Sequence, residues 1–514
     1  MSHPRTPRGF PAATSAAAAG HAAPPLRTTV LDARVRFIPR SLVRPLILSS
    51  GPITEITEAV ADVTVRVDGR EAAGRGSIYL SDLWSWPDPA LTHEERDAAL
   101  RRLTESIAAN LAGLCGGEAA HPLELGLRLH EGVCGETTPP GAPEVSGVLP
   151  LSVTLSRPEG PCEGSRCGCC FSAGQRQQPQ RDSSASLREG RNDNVGGVPE
   201  NPGTPTPPVL ARAMCASPFD AAIHDAAGRA LGRSAFDFYR EPMPLPSADG
   251  YFGGGDGAAC RAIARVIQPP KRGLRAWYLV GKNDDMDTDV GPWIRGRGYR
   301  CFKIKILGKD NAADVARTVE VYRAVRRLGV AAPQLTVDTN EANPDAASVQ
   351  DYFERLKAAD AAAFDALLYF EQPTGRDITV HTYDWRPVAR LKPVLLDEGL
   401  TSLGLMDVAV EQGWSGFALK TCKGHSFALV AAAWGRERGL VLALQDLTNP
   451  GVSMIHAAYF AAHVPTVNDV ELNSPQFTPA ANADWLPRLA GLFDPHDGVH
   501  RLPDGPLVGL GAAL

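Results

Sequence analysis

The stretch Cys301-Phe302-Lys303-Ile304-Lys305-Ile306 alternates with period two. That pattern predicts a β-strand with Phe302, Ile304 and Ile306 on one face and both lysines on the other. On an exposed antiparallel strand the lysine face would simply meet water. Strand-like runs recur downstream at intervals suited to helices, which points instead to a parallel sheet covered by those helices. Two lysines on an inner face of such a sheet require compensating negative charge, because an unpaired buried ammonium is costly.

Carboxylates stand where that demand places them. Leu335-Thr336-Val337-Asp338, Leu367-Leu368-Tyr369-Phe370-Glu371 and Val394-Leu395-Leu396-Asp397 are apolar runs that each end in an acid. Phe417-Ala418-Leu419-Lys420, Val441-Leu442-Ala443-Leu444-Gln445-Asp446, and Val470-Glu471 with Asn473 continue the series. From Lys305 onward these polar ends are separated by 23 to 33 residues. A strand, a helix and two loops take about that length in an eight-unit barrel of roughly 250 residues, whose catalytic groups sit at the C-terminal strand ends. Ala276-Trp277-Tyr278-Leu279-Val280 is the expected opening strand, and a helix is predicted from Ala312 to Leu328.

The rest of the chain frames this barrel. Its 514 residues allow two or three domains, and ten cysteines with no paired spacing suit a reducing cytoplasmic setting. A net charge of −6, with no basic stripe, argues against nucleic-acid binding, and no run has the length of a membrane span. Residues 1–27, rich in Ala and Pro, read as a disordered tail. Val30 to Phe37 and Ala59 to Val67 alternate as strands, the latter up to a turn at Asp68-Gly69. Thr92 is a candidate N-cap for a helix reaching Leu114. Loops near Ser49 to Thr57 and near Tyr79 to Trp86 are candidates for covering the barrel mouth, with Trp84 and Trp86 either lining it or packing between domains. Residues 155–207 read as a low-complexity insertion. Their crowded Cys162, Cys167, Cys169 and Cys170 do not form the two separated pairs of a zinc site. Helical periodicity resumes over Val209 to Leu231.

Asp338, Glu371 and Asp397 would converge on one axis. Three crowded carboxylates repel, and an all-oxygen set suits a hard ion such as Mg²⁺; the alternative is three independently solvated loop residues. Lys305 and Lys420 would approach the axis from opposite sides. A lysine works as a base only if its pKa falls well below about 10.4, and burial, a neighbouring ammonium and a cation all push that way. Such a pair could remove and return the proton α to a carboxylate.

Lys303-Ile304-Lys305, Val337-Asp338-Thr339-Asn340, Phe370-Glu371-Gln372-Pro373, Leu396-Asp397-Glu398 and Leu419-Lys420 together resemble the enolase superfamily. Within its mandelate racemase/muconate lactonizing family they resemble the muconate-lactonizing group, which keeps lysines on the second and sixth barrel strands. The resemblance covers most of residues 28–510 outside the insertion. It implies an α/β fold, a (β/α)7β TIM-like barrel over 246–490 with an N-terminal α+β capping domain over 28–245, and a segment 491–514 packing back on the cap. It also implies Mg²⁺, with Mn²⁺ as a substitute, on Asp338, Glu371 and Asp397. Lys305 and Lys420 become the acid/base pair, and Lys303 assists by binding the substrate carboxylate. Asn340, Glu398, Asp446, Glu471 and Asn473 are candidates for binding substrate or supporting the site. Lysine bases beside Mg²⁺ are this superfamily's general pattern.

The implied reaction is Mg²⁺-dependent abstraction of the α-proton of a small-molecule carboxylate through a metal-stabilised enediolate, catalysed by a cytoplasmic homo-oligomer. Racemase, epimerase or cycloisomerase activity leads. A lyase, either a sugar-acid dehydratase or o-succinylbenzoate-synthase-like, is the alternative, and a non-catalytic barrel is a distant third. Glu471-Leu472-Asn473 keeps one charge where dipeptide epimerases place an Asp-x-Asp pair, which disfavours dipeptides. Asp446 stands where mandelate-racemase relatives carry a histidine, which disfavours that branch. Lys423-Gly424-His425 lacks a second glycine that the group often has. His425 could touch substrate or be solvated, and Asp446 could orient Lys420 or satisfy loop amides.

Overall fold

The computed structural model describes residues 26–48, 50–135 and 205–512. The expectations for residues 1–25, and for residues 155–204 with their four cysteines, lie outside the described residues.

Three antiparallel strands, β1 (Thr28–Leu48), β2 (Gly51–Val67) and β3 (Arg70–Tyr79), form one sheet in that order. Alternation drives β2 inward, with Ala59, Ala61, Val63, Val65 and Val67 fully buried. The expected turn at Asp68-Gly69 is present, with φ of 48° and 79°. Two successive left-handed residues give the hairpin twist that matches the strands. The expected loop from Ser49 to Thr57 is instead mostly strand. β2 begins at Gly51 and pairs Ile53 with Leu46 and Pro52 with Ile47, so the β1–β2 hairpin runs out as an arm that closes between Leu48 and Gly51. Cross-strand pairing of apolar residues kept the arm extended where turn composition suggested a loop.

The helix His93–Leu114 starts at Thr92, whose hydroxyl accepts from the Glu95 amide while Glu95 returns a bond to the Thr92 amide. The helix Val209–Leu231 lies across the sheet. Its backbone comes so close to β3 that a Cβ at Gly74 would meet the Ala226 nitrogen at 2.2 Å and one at Gly76 the Pro218 oxygen at 2.0 Å. Only glycine allows that approach.

After a short strand β4 (Gly273–Arg275), the barrel strands are β5 (Trp277–Val280), β6 (Cys301–Lys305), β7 (Gln334–Asp338), β8 (Leu367–Glu371), β9 (Val394–Leu396), β10 (Gly416–Lys420), β11 (Val441–Asp446) and β12 (Glu471–Leu472). They form one parallel sheet in sequence order. Each barrel run singled out in the sequence is a strand within one or two residues of its expected bounds, whereas the cap strands extend well beyond the expected Val30 to Phe37 and Ala59 to Val67. β12 and β5 meet through side chains instead of a ladder. Trp277 Nε1 donates to the Asn468 carbonyl at 2.7 Å, and Asn473 Nδ2 to the Trp277 carbonyl at 3.2 Å. A final strand, β13 (Val499–Arg501), pairs antiparallel with β4. Beyond it the Leu510 amide donates to Asp225 on the Val209–Leu231 helix at 3.0 Å. Among the described residues, no helix is long and apolar enough to cross a membrane.

Candidate active site

The C-terminal ends of β6 to β12 deliver the polar side chains to one buried cluster. Lys303 Nζ donates to both Glu371 oxygens at 2.8 Å and lies 3.0 Å from Asp338 and 3.5 Å from Glu471. Lys305 Nζ bonds Asp338 Oδ2 at 2.6 Å and Asn340 Oδ1 at 2.8 Å. Across the barrel, Lys420 Nζ pairs with Asp397 Oδ2 at 2.8 Å and donates to Gln445 Oε1 at 2.7 Å. Behind Asp338 and Glu371 the chain turns sharply away through Asn340 and Gln372, whose φ values of 45° and 31° are uncommon for side-chain-bearing residues. The Glu341 amide then bonds the Gln372 carbonyl at 2.9 Å, which ties the two strand exits together.

All eleven residues singled out in the sequence fall in this cluster. Lys303, Lys305, Asp338, Asn340, Lys420, Asp446, Glu471 and Asn473 line one cavity, and Glu371, Asp397 and Glu398 are buried among their contacts. Several participants carried no signal in the strand-end pattern. Gln445 bonds both Lys420 and Glu371, so it orients Lys420 where Asp446 was one expectation. Asp446 instead accepts from Asn449 Nδ2 at 2.7 Å. Lys423 is buried, donates to the Asp397 carbonyl and lies 3.2 Å from Asp397 Oδ1. Its place one turn past Lys420 was visible only as a departure from a glycine motif. Trp84, from the cap, donates to Glu398 Oε1 at 2.8 Å, and its ring lies under the Lys420 ammonium at 5.3 Å. Arg376 anchors that segment by bonding the Trp84 and Ser85 carbonyls and pairing with Glu341. His425 is neither solvated nor at the cavity. It is buried and lies 3.1 Å from the Tyr239 hydroxyl.

Electrostatics depart from expectation at two lysines. Burial lowers both, but the carboxylates outweigh it: Glu371, Glu471 and Asp338 hold Lys303, and Asp397 and Glu371 hold Lys420, well above the ordinary lysine value. Burial pushes the Glu398 carboxyl up to about 7, helped by Asp397, and Asp446 likewise to about 7. Asp338 and Asp397 go the other way despite burial, held well below the usual carboxylate range by Lys305 and Lys303 and by Lys420 and Lys423 respectively.

These shifts set a pH window. Glu398 and Asp446 bind protons more tightly folded than unfolded, so their contribution is full below about pH 4 and lost as pH rises through about 7. Asp338 and Asp397 contribute above about pH 4 and lose that as pH falls. Replacing Glu398 by Gln and Asp446 by Asn in chelator-treated protein should therefore remove a few kcal/mol of stability loss between pH 5 and pH 8 relative to the parent, measured by chemical denaturation. An unchanged difference between parent and double variant across that range would contradict the raised carboxyls.

The donor set fits a hard divalent cation. Among the described residues of the cluster, the buried carboxyls Asp338, Glu371, Asp397, Glu398, Asp446 and Glu471 outnumber the buried ammonium groups of Lys303, Lys305, Lys420 and Lys423. Both Asp397 carboxylate oxygens are buried and face ammonium groups, Lys420 at 2.8 Å and Lys423 at 3.2 Å. The ligands are all oxygen, the preference of Mg²⁺. Lysine ammonium groups stand between these carboxylates, and among the described residues no three acids, histidines or cysteines are spaced as an assembled cation site.

Residues 286–514 match a family described as enolase C-terminal domain-like. No curated protein sequence matches the chain. Among solved structures, muconate lactonizing enzyme from Pseudomonas fluorescens, complexed with muconolactone, is similar at 16% identity and a TM-score of 0.54, over 94% of this chain and 96% of that one. Dipeptide epimerase from Enterococcus faecalis V583, complexed with Mg and L-Leu-L-Tyr, is similar at 12% identity and a TM-score of 0.56, over 94% and 99%. An enolase from Bradyrhizobium, complexed with magnesium and mandelic acid, is similar at 16% identity and a TM-score of 0.53, over 95% and 96%. These likenesses show the fold: a TIM-like barrel with an N-terminal capping domain.

Proposed function

We propose that this chain is an enzyme of the enolase superfamily that removes the proton α to a carboxylate and returns it as an isomerase. The observation that carries the reading is one cavity lined by Lys305 from β6 and Lys420 from β10, with Asp338, Glu371 and Asp397 on the intervening strand ends. When bound on those three carboxylates, Mg²⁺ would supply positive charge that favours removal of the α-proton from the substrate.

The chain's own residues divide the remaining work. Lys305, fixed by Asp338 and Asn340, faces one side of the substrate carbon, and Lys420, fixed by Gln445 over the Trp84 ring, faces the other. Asp397 and Glu371 hold Lys420 as an ammonium, and a cation taken up by those carboxylates would weaken that hold, so that Lys420 can give and take the proton. Lys303 supplies fixed positive charge on the cavity floor, between Glu371 and Asp338. The cap excludes water, with Leu46 and Trp84 buried at the cavity edge.

The test is incubation in D₂O with Mg²⁺ and a panel of carboxylic acids, read by mass spectrometry. Gain of one deuterium that requires both Lys305 and divalent cation establishes the half-reaction. Product mass then separates an isomer, unchanged, from β-elimination with loss of water. If Mg²⁺ does not bind, the ligand assignment fails.

A further inference from the structure

A second cavity, of about 460 Å³, lies beside the cap sheet and shares no lining residue with the active-site cavity. Small-molecule sites typically enclose about 300–1,000 Å³. Period-two alternation builds one wall, where Arg36, Ile38 and Arg40 of β1 stand beside Glu58, Val60 and Asp62 of β2, and Arg75 of β3 pairs with Asp62. Gly451 and Val452, which open the helix after β11, also line the space, with Trp485 and Arg488 from the segment after β12. Arg229 joins them from the helix Val209–Leu231.

Five arginines thus meet three lining acids, Glu58, Asp62 and Asp484, on a chain whose net charge is −6. Arg40 and Glu58 balance each other, with both Nε and Nη2 of the arginine on Glu58 Oε2 at 2.8 and 2.7 Å. Arg229 Nε is held by Asp225 at 2.8 Å. Asp62 is shared: Arg36 Nη1 donates to Oδ2 at 2.8 Å and Arg75 Nε to Oδ1 at 2.6 Å. That trio carries one positive charge in excess. Arg488 carries another, since among the described residues it pairs with no acid; its guanidinium carbon lies 5.5 Å from the centre of the Trp485 ring. Asp484 is exposed, and water screens it. Arg36 and Arg75 are each fixed through one nitrogen, and a guanidinium has five N–H donors, so both keep donors for a further acceptor. Ion pairs this exposed add little stability, so stability does not account for the excess. Gly451 adds a separate sign of an opening kept clear. A Cβ there would stand 3.0 Å from Trp485 Nε1, so any side chain would crowd the indole N–H.

We infer that this cleft binds a phosphate monoester at a site separate from the active cavity. The phosphate lies among the arginines, whose planar forks match its oxygens. Its charge of about −1.5 to −2 at neutral pH offsets both excesses, where one carboxylate would offset only one. Buried Val60 and Val452, with half-buried Ile38 and Trp485, give the organic part an apolar surface.

The experiment is calorimetric titration of the intact protein with Mg²⁺ present, using adenosine 5′-monophosphate and glucose 6-phosphate, with adenosine and succinate as controls. At least one ester should bind, and adenosine should not. Arg36→Gln and Arg488→Gln should each raise the Kd of that ester by about tenfold or more, the scale of one charged hydrogen bond. Lys305→Ala, in the other cavity, should leave it unchanged. Arg36→Gln leaves Asp62 with Arg75, and Arg488→Gln breaks no ion pair, so both variants should keep the parent Tm. Failure of both esters to bind overturns the inference, as does binding that both variants leave intact. Succinate binding as tightly as the ester overturns it too, because two carboxylates would then suffice. If neither ester binds and Arg488→Gln changes the sedimentation coefficient, the arginines serve contact between copies of this chain and not a ligand.

Discussion

Replacing Lys305 by alanine should abolish solvent exchange at Cα for one enantiomer of the substrate, and Lys420→Ala should abolish it for the other. Each loss should be about 10²- to 10⁴-fold, the range attributed to a positioned general acid or base. The asymmetry follows from topology. β6 and β10 are separated by β7, β8 and β9, so the two ammonium groups reach the cavity from different sides of the carboxylate row. Each is independently fixed, Lys305 by Asp338 and Asn340, and Lys420 by Asp397 and Gln445. Removing one should leave the other in place. Asp397 retains Lys423 after loss of Lys420, which should keep its carboxylate from being stranded. Calorimetric titration with Mg²⁺ on both variants checks that the carboxylates survive. Equal loss of both enantiomers in either variant, with cation binding intact, would mean that one lysine performs both transfers or that neither does.

The barrel was legible because period-two alternation and polar strand ends are imposed by the fold at every repeat. Burial forces apolar residues between the strand ends, and the site forces charge at them. Asp338, Glu371, Asp397 and the three expected lysines could therefore be picked from spacing. Gln445 escaped because it precedes Asp446, and an acid at a strand end looked like the functional member of the pair. Side-chain direction decided otherwise, since Lys420 pairs in register with Gln445. Lys423 escaped because a short helical turn, Thr421–Lys423, brings it back onto Asp397, and no strand periodicity encodes that. The hairpin arm was read as a loop because Ser49, Gly51 and Pro52 are turn formers. Its pairing extends to Leu48 and Gly51 all the same, and local propensity yielded to the ladder. His425 shows the same limit: proximity in sequence to a site lysine did not bring it to the cavity, because the helix it begins turns it toward Tyr239 and His224.

Lys303→Met should destabilise the chelator-treated protein by about 3–5 kcal/mol, the scale for breaking a buried ion pair by removing one partner. Lys303 is 4% exposed and lies within 3.5 Å of Glu371, Asp338 and Glu471. Methionine keeps most of the stem's volume, so the loss is charge and not packing. Three buried carboxyls would then face one another with one fewer cation among them, and desolvation already raises Glu371 and Glu471. Mg²⁺ should restore much of the loss, because a ligand that binds only the folded state adds about 2.7 kcal/mol at a hundredfold excess over its Kd. The gain in Tm on adding Mg²⁺ should consequently be larger in the variant than in the parent. The comparison separates two roles for this lysine. If it only bound the substrate carboxylate, the variant would lose turnover and keep its stability. If it balances the acid cluster, stability drops in chelator and recovers with cation. A drop that Mg²⁺ does not reverse would show that these carboxylates do not take up the ion, and the proposed chemistry would go with them.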